Sequence, residues 1–345
     1  MFFKDEINLG LIYIGTLVGA GFASGQEIMS FFTIYGKGGF FGLTVSCVLF
    51  FFLGYFILNQ SLKHQSKCIR DIMEPLAGKK LMFLFDVMVD LFCLAGYIIM
   101  LSGCGAVFEE SMNLDYIPVV IFLSIAIVLG LKRGMESLAG LNKFFVSIIF
   151  IVTLLAGLIS LGQDANIFEE LNKLPVERGW LISALIYVSY NITLALVVLA
   201  SLGTYTPRIR AAVGAAAVGA VGLFVLGFTM WFITVVNFVS LSDVQIPLLW
   251  VASRQGNFMY YASVSMLFSA MITTALSLGF SFVQSFSQRF HLSYSYSLNI
   301  LFIAIPFTGF GFTNLISKIY PLMGVAGMFF AILLILRRFL LIKIE

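Results

Sequence analysis

Long apolar runs follow one another along the whole chain, separated by short polar segments. A helix rises about 1.5 Å per residue, so about 20 apolar residues cross a hydrocarbon core roughly 30 Å thick. The pattern predicts ten membrane-spanning helices, at about 8–33, 39–62, 80–107, 116–131, 141–162, 179–203, 210–239, 257–288, 294–308 and 312–337. The expected fold class is therefore an all-α polytopic membrane protein.

The composition agrees with this class. Of the 345 residues, 60% are hydrophobic and 11% are charged, whereas a soluble domain has roughly 25% charged residues. This excludes a soluble enzyme. A net charge of +3 without a long basic block argues against nucleic acid as a partner. The four cysteines, Cys47, Cys68, Cys93 and Cys104, lack metal-binding spacing and are interpreted as packing residues.

The positions of Lys and Arg predict the orientation. With the N-terminus in the cytoplasm and ten spans, fifteen of the twenty basic residues fall on the cytoplasmic side and five fall outside. Because basic residues concentrate in cytoplasmic loops, we expect a multi-pass protein of the bacterial cytoplasmic membrane with both termini inside.

The polar segment 163–178 divides the spans five and five. This predicts a first repeat at 1–162, an external linker at 163–178 and a second repeat at 179–345. Since five is odd, a second half that copied the first would be inverted in the membrane, as in many secondary transporters. The segment 243–252 is too short to cross and is expected to form an external amphipathic helix, or else an ordinary loop.

The first predicted span contains the run GTLVGAGFASGQE at 15–27, with four glycines in eleven residues. Such a run predicts a helix break, which in lipid is tolerated only where protein or a watery cavity satisfies the backbone. The freed carbonyl groups could bind a cation and the freed N–H groups an anion. Close helix packing through small residues is the alternative.

In the eighth span, Ala270, Thr273 and Thr274 share a helix face, and their oxygen atoms would suit Na⁺. Hydroxyl groups that bond back to their own helix are the alternative.

Together these two motifs resemble the amino acid–polyamine–organocation superfamily with the leucine-transporter (LeuT) fold, and the glycine run resembles the YkvI-type bacterial membrane proteins. The resemblance covers essentially the whole chain and implies a LeuT-like 5+5 inverted repeat with broken helices 1 and 6. It implies a sodium site formed by Gly15, Val18, Ala270, Thr273 and Thr274. Two positions depart from the family pattern, because Phe22 replaces a sodium-binding asparagine and Gly25 replaces a gating arginine.

The candidate substrate-binding residues are those of the two expected breaks and one tyrosine of the third span. They are Gly19, Ala20, Gly21, Phe22, Ala23, Ser24, Tyr97, Ser189, Tyr190 and Asn191. The resemblance brings the outer halves of spans 1 and 10 together, so Glu27 and Lys318 could form an external gate. Alternatively, Lys318 reaches the headgroups and Glu27 binds a solute amine or a proton.

Asp86 and Asp90 lie one helical turn apart within the third span, where a carboxylate is costly unless it is paired or hydrated. We expect them to pair with Arg208, with Lys143 or with a backbone break, or else to relay protons or cations. No hydrolase motif or repeated channel filter is found in the sequence, so an enzyme or a channel is not expected.

The resulting functional hypothesis is a secondary active transporter that couples Na⁺ to a small solute, an amino acid or a related zwitterion or amine, by alternating access. A proton-coupled transporter of the same fold and a solute sensor that acts through a separate partner are the alternatives. No cofactor other than the coupling ion is expected. The oligomeric state is left open.

Overall fold

The protein is a bundle of α-helices, in a computed structural model that describes residues 2–66, 69–132, 138–163, 174–200, 202–203, 208–241 and 244–342. The α-helices are α1 (Phe2–Leu17), α2 (Ala20–Ala23), α3 (Gln26–Phe31), α4 (Lys37–His64), α5 (Ile69–Met112), α6 (Tyr116–Lys132), α7 (Leu138–Gln163), α8 (Trp180–Ala200), α9 (Ile209–Val236), α10 (Pro247–Arg254), α11 (Asn257–Phe290), α12 (Tyr294–Ser297), α13 (Ala304–Thr308) and α14 (Phe312–Ile342). Short 3₁₀ helices lie at Thr33–Tyr35, Phe238–Leu241 and Leu298–Ile303. Helix α5 is kinked at Gly78, where φ is 68°.

Six helices of the described chain are long and apolar enough to cross a membrane, and four shorter apolar helices accompany them. The six are Lys37–His64, Ala77–Met112, Trp180–Ala200, Ile209–Val236, Asn257–Ser287 and Phe312–Ile332, and the four are Glu6–Leu17, Tyr116–Lys132, Val146–Gly162 and Tyr294–Thr308. Each falls within or overlaps one of the ten predicted spans. The chain is thus a multi-pass helical membrane protein, while the count of ten spans and the inverted repeat stay predictions.

The core of the bundle contains closely packed helices with small residues at their contacts. Tyr13 of α1 is fully buried, and its hydroxyl donates to the Phe50 carbonyl oxygen at 2.9 Å. A Cβ atom placed on Gly219 of α9 would lie 2.2 Å from the Tyr13 ring, and one placed on Gly54 of α4 would lie 2.6 Å from it. Only glycine therefore allows α1, α4 and α9 to approach this closely.

The short helix expected at 243–252 is present as α10, at Pro247–Arg254, while its external position stays a prediction. Leu248 and Leu249 are buried, and the Leu248 N–H donates to the Ser24 carbonyl oxygen at 3.0 Å. The helix thus lies against the segment that follows α2. Part of the predicted linker, at 164–173, lies outside the described residues.

The prediction that the sixth span is broken is wrong, because α8 is a continuous helix from Trp180 to Ala200. The segment contains no Gly or Pro, and two of its polar side chains bond within the helix. Asn191 donates to the Tyr187 carbonyl oxygen at 3.0 Å, and Thr193 donates to that of Ser189 at 2.8 Å. Polar residues alone did not interrupt this helix.

Candidate functional site

The first span is broken where the glycine run predicted. Helix α1 ends at Leu17, α2 occupies Ala20–Ala23, and α3 begins at Gln26. Gly25 has a φ of 84°, a left-handed conformation that favours glycine. The Ser24 hydroxyl donates to the Gly21 carbonyl oxygen at 2.9 Å, which satisfies one backbone group of the break.

Glu27 folds back from α3 over this break. Its side chain is buried, and Oε2 accepts a hydrogen bond from the Tyr190 hydroxyl of α8 at 2.5 Å. A Cβ atom on Gly21 would lie 2.3 Å from Oε1 of Glu27, and the backbone of Phe22 also hydrogen-bonds this side chain. The carboxylate therefore occupies the space that any side chain at position 21 would need.

A cavity of about 630 Å³ lies beside the break. Its walls are formed by α1, the break, α3, α5, α8, α11 and α14. The lining residues are Leu11, Ile12, Gly15, Thr16, Leu17, Gly19, Glu27, Cys93, Gly96, Met100, Tyr190, Asn191, Leu194, Val197, Val198, Thr274, Ser277, Leu278, Ser281, Tyr320 and Met323. Most of the wall is apolar, with hydroxyl groups, one amide and one carboxylate, which is the usual character of a small-molecule site.

Among the residues predicted for the sodium site and for the break of the first span, three line this cavity: Gly15, Gly19 and Thr274. A Cβ atom on Gly19 would lie 3.8 Å from the Thr274 methyl group, so α11 directly faces the break.

The other three residues of the predicted sodium site, Val18, Ala270 and Thr273, are buried and do not line the cavity. The Thr273 hydroxyl is within hydrogen-bond distance of the Ser269 and Ala270 carbonyl oxygens, at 2.9 and 3.1 Å. In the part of the chain that the structure describes, no three His, Cys, Asp or Glu residues are grouped to hold a metal ion. The predicted sodium site itself would offer hydroxyl and backbone carbonyl oxygen atoms, since none of its five residues carries a carboxylate.

Tyr190 and Asn191 line the cavity as predicted, whereas Tyr97 and Ser189 do not. Tyr97 points towards α6, where its hydroxyl lies 3.4 Å from that of Ser124. Ser189 faces α14, because a Cβ atom on Gly327 would lie 2.8 Å from its hydroxyl oxygen. On a continuous helix, residues 189 and 190 point in different directions.

Of the predicted break residues, Gly21, Phe22, Ala23 and Ser24 are buried and do not line the cavity. The side chain of Ala20 lies outside the described side chains. These residues pack the break instead of forming the cavity wall.

Several lining residues were not predicted. Ser277 and Ser281 continue the face of Thr274 at intervals of three and four residues, so the helical period could have identified them. Thr16 lies within the glycine run itself. Tyr320 of α14 stacks on Tyr190 with ring centroids 4.8 Å apart, and no pattern in the sequence pointed to it.

Glu27 and Lys318 are not brought together in this structure. Glu27 is buried against Tyr190, whereas Lys318 is exposed on α14. The contact between α3 and α14 is made by a neutral pair, since the Gln26 amide donates to the Thr313 hydroxyl at 2.7 Å. The side-chain partner of Glu27 is therefore the Tyr190 hydroxyl of α8 and not the amine of Lys318.

Asp86 and Asp90 form ion pairs, but their arginine partners differ from those expected. Asp86 pairs with Arg70 at 2.5 Å, and Asp90 pairs with Arg289 at 2.8 Å. Arg208 is exposed, and the side chain of Lys143 is not described. Arg70 precedes the kink of α5, and Arg289 lies near the end of α11. The sequence did not predict these partners, because only the packing of the helices brings the two arginines close to the aspartates.

A broken helix beside a cavity in a helical membrane bundle is a feature that many secondary transporters share. Comparison with solved structures supports this class of fold. The chain superposes on a mutant of the manganese transporter of Eremococcus coleocola with a TM-score of 0.64, at 14% identity, covering 96% of this chain and 78% of that one. It superposes on Mhp1, a nucleobase-cation-symport-1 family transporter in a closed conformation with bromovinylhydantoin bound, with a TM-score of 0.62, at 12% identity, covering 95% and 77%. The chain therefore has the membrane fold of LeuT-like transporters.

Two relatives from Bacillus subtilis match nearly the full length of the chain. It is 28% identical to the uncharacterized membrane protein YkvI over 341 residues, covering 94% of this chain and 93% of YkvI. It is 26% identical to the uncharacterized protein YyaD over 337 residues, covering 97% and 98%. No protein-family profile matches the sequence.

Proposed function

We propose that this protein is a secondary active transporter that moves a small solute together with Na⁺ by alternating access. The solute class is an amino acid or a related zwitterion or amine, and the protein is assigned to the cytoplasmic membrane of a bacterium with both termini inside. The observation that carries the proposal is the cavity of about 630 Å³ at the break of the first span. Transport by the two structural neighbours supports the class, and the resemblance to the amino acid–polyamine–organocation superfamily belongs to the same proposal.

From the break, the cavity extends towards the N-terminal end of the first span. It reaches Leu11 and Ile12 in the N-terminal half of the first span, and Ser281 on α11. On the other side of the break, Gln26 donates to the Thr313 hydroxyl and the Leu248 N–H of α10 donates to the Ser24 carbonyl oxygen. With the N-terminus in the cytoplasm, this is an inward-facing conformation.

Coupling to Na⁺ is supported by the face of α11 that meets the break. Thr274 lines the cavity opposite Gly19, and Thr273 lies beside it. Neutral oxygen ligands from hydroxyl and backbone carbonyl groups suit a hard cation. We assign the sodium site to Gly15, Val18, Ala270, Thr273 and Thr274.

The sodium site is tested by thermal unfolding of the purified protein in detergent. Na⁺ should raise the melting temperature more than K⁺ or choline at equal ionic strength, because an ion that binds only the folded state stabilises it. Thr273→Ala combined with Thr274→Ala should abolish the difference. Thr44→Ala removes a comparable hydroxyl, bonded at 2.9 Å to the Phe40 carbonyl oxygen on an exposed face, and should leave it unchanged. A full sodium response in the double variant contradicts the site.

A proton-coupled transporter of the same fold is the second candidate, because a buried carboxylate, Glu27, lines the cavity. Solute uptake into proteoliposomes separates the two. Uptake driven by an inward Na⁺ gradient supports the first, and uptake that ignores Na⁺ but follows an inward proton gradient supports the second.

A further inference from the structure

We infer that the solute of this cavity is a protonated amine with an apolar body and no carboxylate, and that Glu27 is its counter-ion. The inference rests on the proposed transport function and narrows its solute class. It follows from the charge of the cavity, from the position of the Glu27 carboxylate and from the character of the remaining wall.

The cavity wall carries one acidic side chain, whose ionised form a cationic solute would balance. Among its lining residues in the described chain, Glu27 supplies the one carboxylate, and none is Lys, Arg or His. A carboxylate at membrane depth is costly unless it is paired or hydrated. The Tyr190 hydroxyl donates one hydrogen bond to Oε2 but brings no charge. An ammonium group in the cavity would supply both a donor and the missing positive charge.

The position of this carboxylate disfavours a solute that brings its own. Oε1 of Glu27 lies against Gly21, and the Phe22 backbone hydrogen-bonds the same side chain. The Phe22 backbone group at the break therefore already binds an acidic side chain that belongs to the protein. A second carboxylate would be repelled by Glu27, and no basic lining residue of the described chain would offset that repulsion.

The remaining wall suits an apolar body. Met100, Leu194, Leu278 and Met323 line the cavity, and the stacked rings of Tyr190 and Tyr320 form one side of it. Aromatic faces also attract ammonium groups by cation–π interaction.

The test compares three amines with the amino acids from which they differ by one carboxylate. Isobutylamine, isoamylamine and phenethylamine are paired with valine, leucine and phenylalanine, and binding to the full-length protein in detergent is measured by thermal shift and calorimetry. Alkylamines have a pKa of about 10 and are protonated at pH 7. At least one amine should bind at least tenfold more tightly than its amino acid.

Variants of Glu27 and Gly21 test the counter-ion. Glu27→Gln should lose the response to the amine, whereas Glu109→Gln, which removes an exposed carboxylate at the end of α5, should keep it. Gly21→Ala leaves the charge intact but places a Cβ atom 2.3 Å from the present position of Oε1, so the carboxylate must move. Amine binding should then weaken at least tenfold. If Glu27→Gln does not fold, the inference is still tested by the Gly21→Ala variant and by the preference of the unmodified protein for an amine over its amino acid.

Three results would overturn the inference. They are the lack of a tenfold preference for the amine in all three pairs, an amine response that survives in Glu27→Gln, and no binding by any of the six compounds. The sodium response of the ligand-free protein is measured separately. Amine binding without a sodium response would overturn the proposed coupling to Na⁺ and support the amine as solute. A sodium response without amine binding would support the sodium site and overturn the amine as solute.

Discussion

Two ion pairs one helical turn apart on α5 should differ sharply in their contribution to stability. Asp90 and Arg289 are joined at 2.8 Å, and their side chains are 10% and 16% exposed. Asp86 and Arg70 are joined at 2.5 Å, but the Arg70 side chain is 61% exposed. The distances between the charged atoms are similar in the two pairs. The expected difference in stability therefore comes from the different exposure of the two arginine side chains to solvent.

The magnitudes follow from this exposure. At 2.8 Å and an effective dielectric constant near 20, the attraction between Asp90 and Arg289 is about 6 kcal/mol before desolvation. Removing one partner of a buried pair costs about 3–5 kcal/mol, because the other charge is left unpaired. The exposed arginine of the other pair keeps most of its hydration, so that pair should contribute about 0–1 kcal/mol.

Double-mutant cycles measure these contributions. One cycle combines Asp90→Asn with Arg289→Gln, and the other combines Asp86→Asn with Arg70→Gln. The free energy of unfolding is obtained from circular dichroism as sodium dodecyl sulfate is added to the protein in mixed micelles. The coupling energy of the Asp90 pair should exceed that of the Asp86 pair by about 2 kcal/mol or more.

Each cycle is run with the other ion pair intact, because the two aspartates are close enough to repel each other. The single variant Arg289→Gln should destabilise the protein more than Arg70→Gln does. Equal coupling energies in the two cycles, or an Arg289→Gln variant as stable as the unmodified protein, would refute the reasoning that burial decides the strength of these pairs.

Three further predictions concern the core and the transport cycle. Tyr13→Phe should lower the free energy of unfolding by about 1 kcal/mol, because the buried Phe50 carbonyl oxygen loses its donor; an unchanged value in the same titration would show that this bond contributes nothing. Gly219→Ala should cost about 1–3 kcal/mol, since the added Cβ atom would lie 2.2 Å from the Tyr13 ring, and a variant of unchanged stability would contradict the close packing. Uptake into proteoliposomes should rise with an inside-negative potential, which supplies about 2.3 kcal/mol per charge per 100 mV, and uptake insensitive to potential would argue against net entry of positive charge.

The sequence by itself determined the class of the protein and the place of its broken helix. Both follow from local properties. An apolar run long enough to cross a bilayer must form a helix there, because lipid offers no partner for backbone groups. Four glycines within eleven residues weaken that helix wherever they occur, so the break at Val18 and Gly19 could be predicted without any knowledge of the neighbouring helices.

Only the tertiary structure decided which side chains meet. The hydrogen bond between Glu27 and Tyr190 joins residues 163 positions apart, and Gln26 and Thr313 are 287 positions apart. The arginine partner of Asp90 likewise comes from another helix, α11. Such contacts depend on how the helices rotate and pack against one another, and small residues set that packing more than the polar residues do. For the same reason, Ser189 and Tyr97 matched the expected residue types for a binding site and yet face neighbouring helices, because the orientation of a side chain is fixed by the bundle and not by its own helix.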